Sequence, residues 1–249
     1  DRIAARHVLQ LGGKVKVQAI ADGALIEVAR LADLTSDQFV LKGAMLFHLR
    51  SAGVPHRPTR DLDLLSRGNP GVDRLAQLFR DVCSIESPED GIVFQAQTVH
   101  AERIKDDDDY LGVRLRIDAY MGSARIPFQI DVGFGDAVFP TPRLEQLSTL
   151  LDLPAPRLRV YPWEAVIAEK YHAIVELGLD NSRMKDYFDL HHMAMTMPFD
   201  GKTLAEAIRA TFERRNTPLA DEAPVGLTSS FASDAIKQTQ WQAFLRKLR

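Results

Sequence analysis

Residues 139–162 read FPTPRLEQLSTLLDLPAPRLRVYP, and the apolar spacing differs on the two sides of this proline-rich stretch. Proline lacks a backbone N–H and fixes φ, so such a stretch interrupts helices and strand ladders alike. Before it, GIVFQAQTV, YLGVRLRIDAY and IPFQIDVGF have the period of strands, the last two joined by MGSAR as a hairpin turn. After Trp163 every periodic segment is helical: WEAVIAEKYHAIVELG, SRMKDYFDLHHMAMT, KTLAEAIRATFERR and SDAIKQTQWQAFLRKLR. The switch predicts an α+β chain in two domains, residues 1–150 and 151–249, the second α-helical. With 249 residues, each part can bury a core.

Within the first part, residues 14–33 carry helical spacing. Phe39–Leu41 reads as a short buried strand, Lys42 and Gly43 as a tight turn, and AMLFHLRSAG as a helix ended by Gly53. VPHRPT is a loop, RDLDLL a strand, and VDRLAQLFRDVCSIE an amphipathic helix with Leu75, Leu78, Phe79 and Val82 on one stripe. The net charge of −3 gives no overall basic signature, so a nucleic-acid partner needs a local patch. A single cysteine, Cys83, excludes an intrachain disulfide framework and reads as a buried helix residue. No apolar run approaches the roughly 20 residues that span a bilayer, and DRIAARHVLQ lacks a signal-like apolar stretch. No membrane partner and a cytoplasmic location are expected. The absence of a methionine before Asp1 suggests missing N-terminal sequence.

The chemistry-bearing stretch is RPTRDLDLL, residues 57–65. In a strand, Asp61 and Asp63 project from one face while Leu62 and Leu64 enter the core. Two like charges on one surface cost free energy unless a cation or basic partner lies between them. A divalent metal answers this economically, since magnesium takes carboxylate oxygens together with substrate phosphates. Ion pairing with Arg57 or Arg60 is the plainer alternative. In FQIDVGF the alternation puts Phe128, Ile130, Val132 and Phe134 on one face and Gln129, Asp131 and Gly133 on the other. Should that strand neighbour RDLDLL, Asp131 becomes the third carboxylate of a two-metal site. The Lys42–Gly43 turn offers backbone N–H groups to a phosphate, though a glycine after a strand is commonly only a turn.

The order LKGAMLF, RPTRDLDLL, IDVGFGD, EKYHAI and SRMKDYFDL resembles the AbiEii/AbiGii-type nucleotidyltransferase toxins, the MenT-like group. The resemblance spans about residues 39–195 and implies a DNA polymerase β-like mixed β-sheet with flanking helices, followed by a helical domain. Gly43, Arg57, Thr59, Asp61 and Asp63 match the first family motif. Ala44 and Met45 stand where its second glycine and hydroxyl residue are found. Lys170 to Ala173 matches Lys-x-x-Ala, and Arg183, Asp186 and Asp189 match Arg-x-x-Asp-x-x-Asp. The resemblance implies that Asp61, Asp63 and Asp131 hold Mg²⁺ or Mn²⁺ and, with Lys170, form the catalytic set. Lys42, Gly43, Arg57, Thr59, Lys170, Arg183, Lys185, Asp186 and Asp189 are then the nucleotide-binding residues, Asp189 orienting Lys170 or Arg183. Taken without the resemblance, Lys170 has the alternative of a snorkelling side chain, and Arg183–Asp186 reads as a surface pair.

The implied reaction moves a nucleoside monophosphate from an NTP to an acceptor hydroxyl and releases pyrophosphate. By resemblance the acceptor is the 3′ end of tRNA, translation is blocked, and an antitoxin restrains the activity. Arg209, Arg214, Arg215, Lys237, Arg246, Lys247 and Arg249 in the last helices suit a phosphate backbone, as they suit a solvated surface. A metal-dependent nuclease or phosphodiesterase, a protein-AMPylating enzyme, and a non-catalytic RNA- or nucleotide-binding module are the alternatives.

Overall fold

A computed structural model of the chain describes residues 38–50, 57, 61–68, 71–85, 92–106, 110–146 and 157–248. The helix expected over 14–33, the helix end at Gly53, the VPHRPT loop except Arg57, and Thr59 and Arg249 lie outside the described residues. The chain divides into two compact units, Asp1–Gly135 with Arg143–Val160, and Asp136–Pro142 with Tyr161–Arg249.

The first unit is a mixed β-sheet with helices. Its described elements are β1 (Phe39–Lys42), α1 (Met45–Arg50), β2 (Asp61–Ser66), α2 (Val72–Cys83), β3 (Ile92–Phe94), β4 (His100–Asp106), β5 (Tyr110–Met121), β6 (Ala124–Phe134), β7 (Arg143–Gln146) and β8 (Arg157–Val160). The strand order is β3-β5-β6-β2-β1-β8-β7, with β4 also paired to β5. β2–β6 and β1–β8 run parallel and the other pairs antiparallel.

Alternation decides which side of this sheet is dry. Leu41, Leu62, Leu64, Leu115, Ile117, Phe128, Ile130 and Val132 are all buried. Their register neighbours Leu41–Leu64, Leu64–Val132 and Leu115–Ile130 show that they share one face. In α2, Leu75, Phe79, Val82 and Cys83 are buried, and the Phe79 ring meets Phe39 of β1 edge-on at 6.2 Å. The opposite face carries the charged residues.

Three strands were not anticipated. GIVFQAQTV is a strand only over Ile92–Phe94 and then turns through a short 3₁₀ segment, so β4 begins at His100. β7 and β8 fall within the proline-rich stretch, where four-residue strands between prolines carry too few positions to show a period.

The second unit contains α3 (Trp163–Leu177), α4 (Met184–Thr196), α5 (Gly201–Arg214), the short α6 (Ser229–Ser233) and α7 (Ala235–Leu248). α3 ends at Gly178, whose φ of +48° suits a residue without Cβ. α5 starts on Asp200, whose carboxylate accepts the Thr203 N–H at 2.8 Å. Phe188, Trp241 and Phe244 join α4 to α7 through ring contacts of 5.5–6.4 Å. No helix of the described residues is long and apolar enough to cross a membrane.

Candidate active site

Strand register draws one charged row across the polar face of the first unit. Lys42 pairs with Asp63, Asp63 with Asp131, Asp131 with Arg114, and Arg114 with Glu102. Asp61 lies two residues from Asp63 on the same face, opposite Gln129. RDLDLL and FQIDVGF are thus neighbouring strands, and the repulsion between the facing carboxylates of Asp63 and Asp131 has a cation on either side in the row.

Arg114 takes both oxygens of Asp131. Its Nε donates to Oδ1 and its Nη2 to Oδ2, each at 2.8 Å, and Gln129 donates to Oδ2 at 3.3 Å. Such a planar two-bond pair is the strongest form of charge-assisted hydrogen bonding. Hydrogen bonding to Asp131 raises the already high pKa of Arg114 further. Sequence reasoning missed Arg114. Its signal was present in YLGVRLRIDAY, where Arg114, Arg116 and Asp118 alternate on the same side as one another, as the aspartates of β2 do.

The glycine turn is built against the acid pair. Gly43 has φ +74°, and a Cβ added there would stand 2.7 Å from Cγ and 2.8 Å from Cβ of Asp63. Ala44 and Met45 are buried, so the positions where the family motif has glycine and a hydroxyl residue fill the core instead. Arg57 is half-buried in the same unit.

Carboxylate oxygens are the donors that magnesium takes, and the ladder sets Asp61, Asp63 and Asp131 on one face of adjacent strands, so the donor set suits a divalent cation. As the side chains stand, no three acidic, histidine or cysteine residues among those described gather around one point.

In the second unit, Lys170 of α3 reaches two carboxylates of α4. Its Nζ lies 2.6 Å from Asp186 Oδ1 and 2.8 Å from Asp189 Oδ2, and both aspartates are fully buried. Arg183 Nε donates to Asp186 Oδ2 at 2.6 Å while half its side chain stays exposed. Burial pushes the Asp186 pKa up, but Lys170, Arg183 and Lys185 outweigh it and hold the carboxyl below its ordinary value. Neither plain alternative therefore describes these groups. Lys170 does not snorkel to water, and the partner of Arg183 is a core carboxylate. Lys185 is exposed on α4.

A second polar network in this unit was not foreseen. The buried Tyr161 hydroxyl bonds Glu169 at 2.8 Å and Asp136 at 3.2 Å, and Arg215 lies 3.7 Å from Asp136. His172 meets the Thr217 hydroxyl at 2.7 Å, and burial, with Arg215 beside it, lowers its pKa. The expected basic patch is correspondingly smaller. Arg215 is engaged in this network, and Lys237 is buried, bonded at 3.0 Å to the Asn181 carbonyl, because its ammonium ties α7 to the turn before α4.

Several known proteins are similar to this chain. JHP933 from Helicobacter pylori has 16% identity and a TM-score of 0.48, over 89% of this chain and 91% of that one. A protein from H. pylori described as a nucleotidyltransferase has 17% identity and a TM-score of 0.48, over 90% and 93%. No curated protein matches the chain in sequence. The model of the AbiEii nucleotidyl transferase toxins of type IV toxin–antitoxin systems matches residues 28–249. On that match, which takes in both the aspartate strands and the Lys170 helix pair, the chain belongs to the AbiEii nucleotidyl transferase toxin family.

Proposed function

We propose that the chain transfers a nucleoside monophosphate from an NTP to an acceptor hydroxyl, the acceptor being the 3′ end of tRNA, and so blocks translation. The bond from the α-phosphorus to the β-phosphate bridging oxygen breaks, the bond from the acceptor oxygen to the α-phosphorus forms, and pyrophosphate leaves. The observation that carries this reading is the placement of Asp63 beside Asp131 with the Gly43 turn packed on Asp63. Asp61, Asp63 and Asp131 would hold Mg²⁺ or Mn²⁺. Bound there, such an ion screens triphosphate charge and makes the acceptor hydroxyl easier to deprotonate. Asp131 takes part in accepting the hydroxyl proton. Lys42, the Gly43 backbone, Arg57 and Thr59 bind the triphosphate. In the second unit, Asp186 and Asp189 hold Lys170 and Arg183 in place, and Arg183 and Lys185 keep positive charge at the surface. Positioning and charge neutralisation are most of what phosphoryl-type transfer asks of a protein.

Membership of a type IV toxin–antitoxin family supports a cognate antitoxin that restrains this activity in the cytoplasm. Incubation with each labelled NTP, Mg²⁺ and total tRNA tests the reaction. Lengthened, labelled RNA is expected. Shortened RNA points to a nuclease, and label in protein points to AMPylation. Asp63→Ala should abolish both labelling and growth arrest. Growth arrest that survives Asp63→Ala would leave a non-catalytic binding module.

A further inference from the structure

We propose that Arg114 is a built-in competitor for the cation at Asp131, neutralising that carboxylate in the metal-free protein and releasing it when an ion is shared by the three aspartates. This rests on the carboxylate–metal reading given above. Three observations carry it. The Arg114 fork engages both Asp131 oxygens, so the lone pairs that a cation needs face a guanidinium. Asp63 and Asp131 stand opposite each other in a parallel ladder, an arrangement that needs positive charge whether or not a metal is bound. On its other side Arg114 is the register partner of Glu102, so a guanidinium leaving Asp131 has a carboxylate on the next strand to turn towards. Glu102 now bonds Arg116 at 2.7 Å and is part-exposed, a pairing that solvent lets rearrange at little cost. Arg114 is thus a positioning residue that couples assembly of the aspartate trio to arrival of the ion.

Mn²⁺ binding to the full chain without nucleotide, followed by the electron paramagnetic resonance of the free ion, tests this. Arg114→Gln should bind Mn²⁺ several-fold more tightly than the unaltered protein. Arg125→Gln makes the same change of charge on β6, at a guanidinium paired with Asp118 rather than with Glu102 or Asp131, and should shift affinity far less. A merely structural arginine would leave affinity the same or weaken it on removal, and that result overturns the proposal. The unaltered protein gives a second measurement that needs no variant. The Arg114 Nε–H signal in ¹⁵N spectra should exchange slowly with solvent before Mg²⁺ is added and quickly afterwards; a signal that Mg²⁺ does not change overturns the proposal as well. Asp63→Asn and Asp131→Asn separate the two failures. If both weaken Mn²⁺ binding but Arg114→Gln does not tighten it, the competitor role falls and the metal reading stands. If neither weakens it, both fall.

Discussion

At Gly43 the backbone has φ +74°, and the space where a side chain would begin is taken by Asp63. Gly43→Ala must therefore bear left-handed strain of about 1–2 kcal/mol and also move Asp63. Gly68 isolates the first effect, having φ +104° and open space around it. We expect Gly68→Ala to lower Tm and leave the rate of nucleotide transfer nearly intact. Gly43→Ala should lower the rate by about a hundredfold, as small displacements of reacting groups do. Single-turnover rates with thermal melts on both variants check this. The glycine was visible in the sequence as a turn between strand and helix. Its contact with Asp63 was not, because the Lys42–Asp63 register that creates it is a pairing between β1 and β2, and alternation within either segment says nothing of it.

The same distinction runs through the elements. Period-two alternation in RDLDLL and FQIDVGF told which face Asp61, Asp63 and Asp131 occupy, because Leu62, Leu64, Ile130 and Val132 claim the other. The MGSAR hairpin already set β5 beside β6, but nothing in the alternation gave the register that puts Arg114 opposite Asp131, so Arg114 stayed unassigned. Helical spacing likewise put Asp186 and Asp189 on one side of α4 but left open whether that side was wet. Burial of both, with Lys170 between them, makes this group costly to break. Asp186→Ala, which removes the carboxylate shared by Lys170 and Arg183, should cost about 3–5 kcal/mol in urea unfolding, the usual penalty for breaking a buried pair. Lys170→Met should cost at least as much, since it removes the ammonium that two core carboxylates share. Either variant retaining the stability of the parent would show that the pair is not held as described.

Over the whole molecule, acid acts through groups whose folded forms bind fewer protons than the unfolded chain. His172 is depressed from its ordinary 6.5 by burial and Arg215, so its contribution is complete above that pH and is lost as pH falls through its lowered value. Asp186, held below its ordinary 3.8 by Lys170, Arg183 and Lys185 against its burial, adds a second loss at lower pH still. Unfolding free energy should therefore decline in two stages on acidification. His172→Gln should flatten the stage below about 6.5 and leave the later one. Denaturant titrations at half-unit pH intervals would reveal a single-stage decline if either group does not act this way.

The segment Asp136–Pro142 belongs with the helices although the chain then returns to β7 and β8 before Tyr161. The backbone consequently passes between the two units three times, after Gly135, after Pro142 and after Val160. Cleavage at any one of these points cannot yield two intact halves. A truncation ending at Val160 strands Asp136 without Tyr161 and Arg215, while a fragment starting at Tyr161 leaves that tyrosine's buried hydroxyl short of an acceptor. Dissecting the protein calls for permuting the chain or splicing out the seven-residue excursion, not for shortening it from an end.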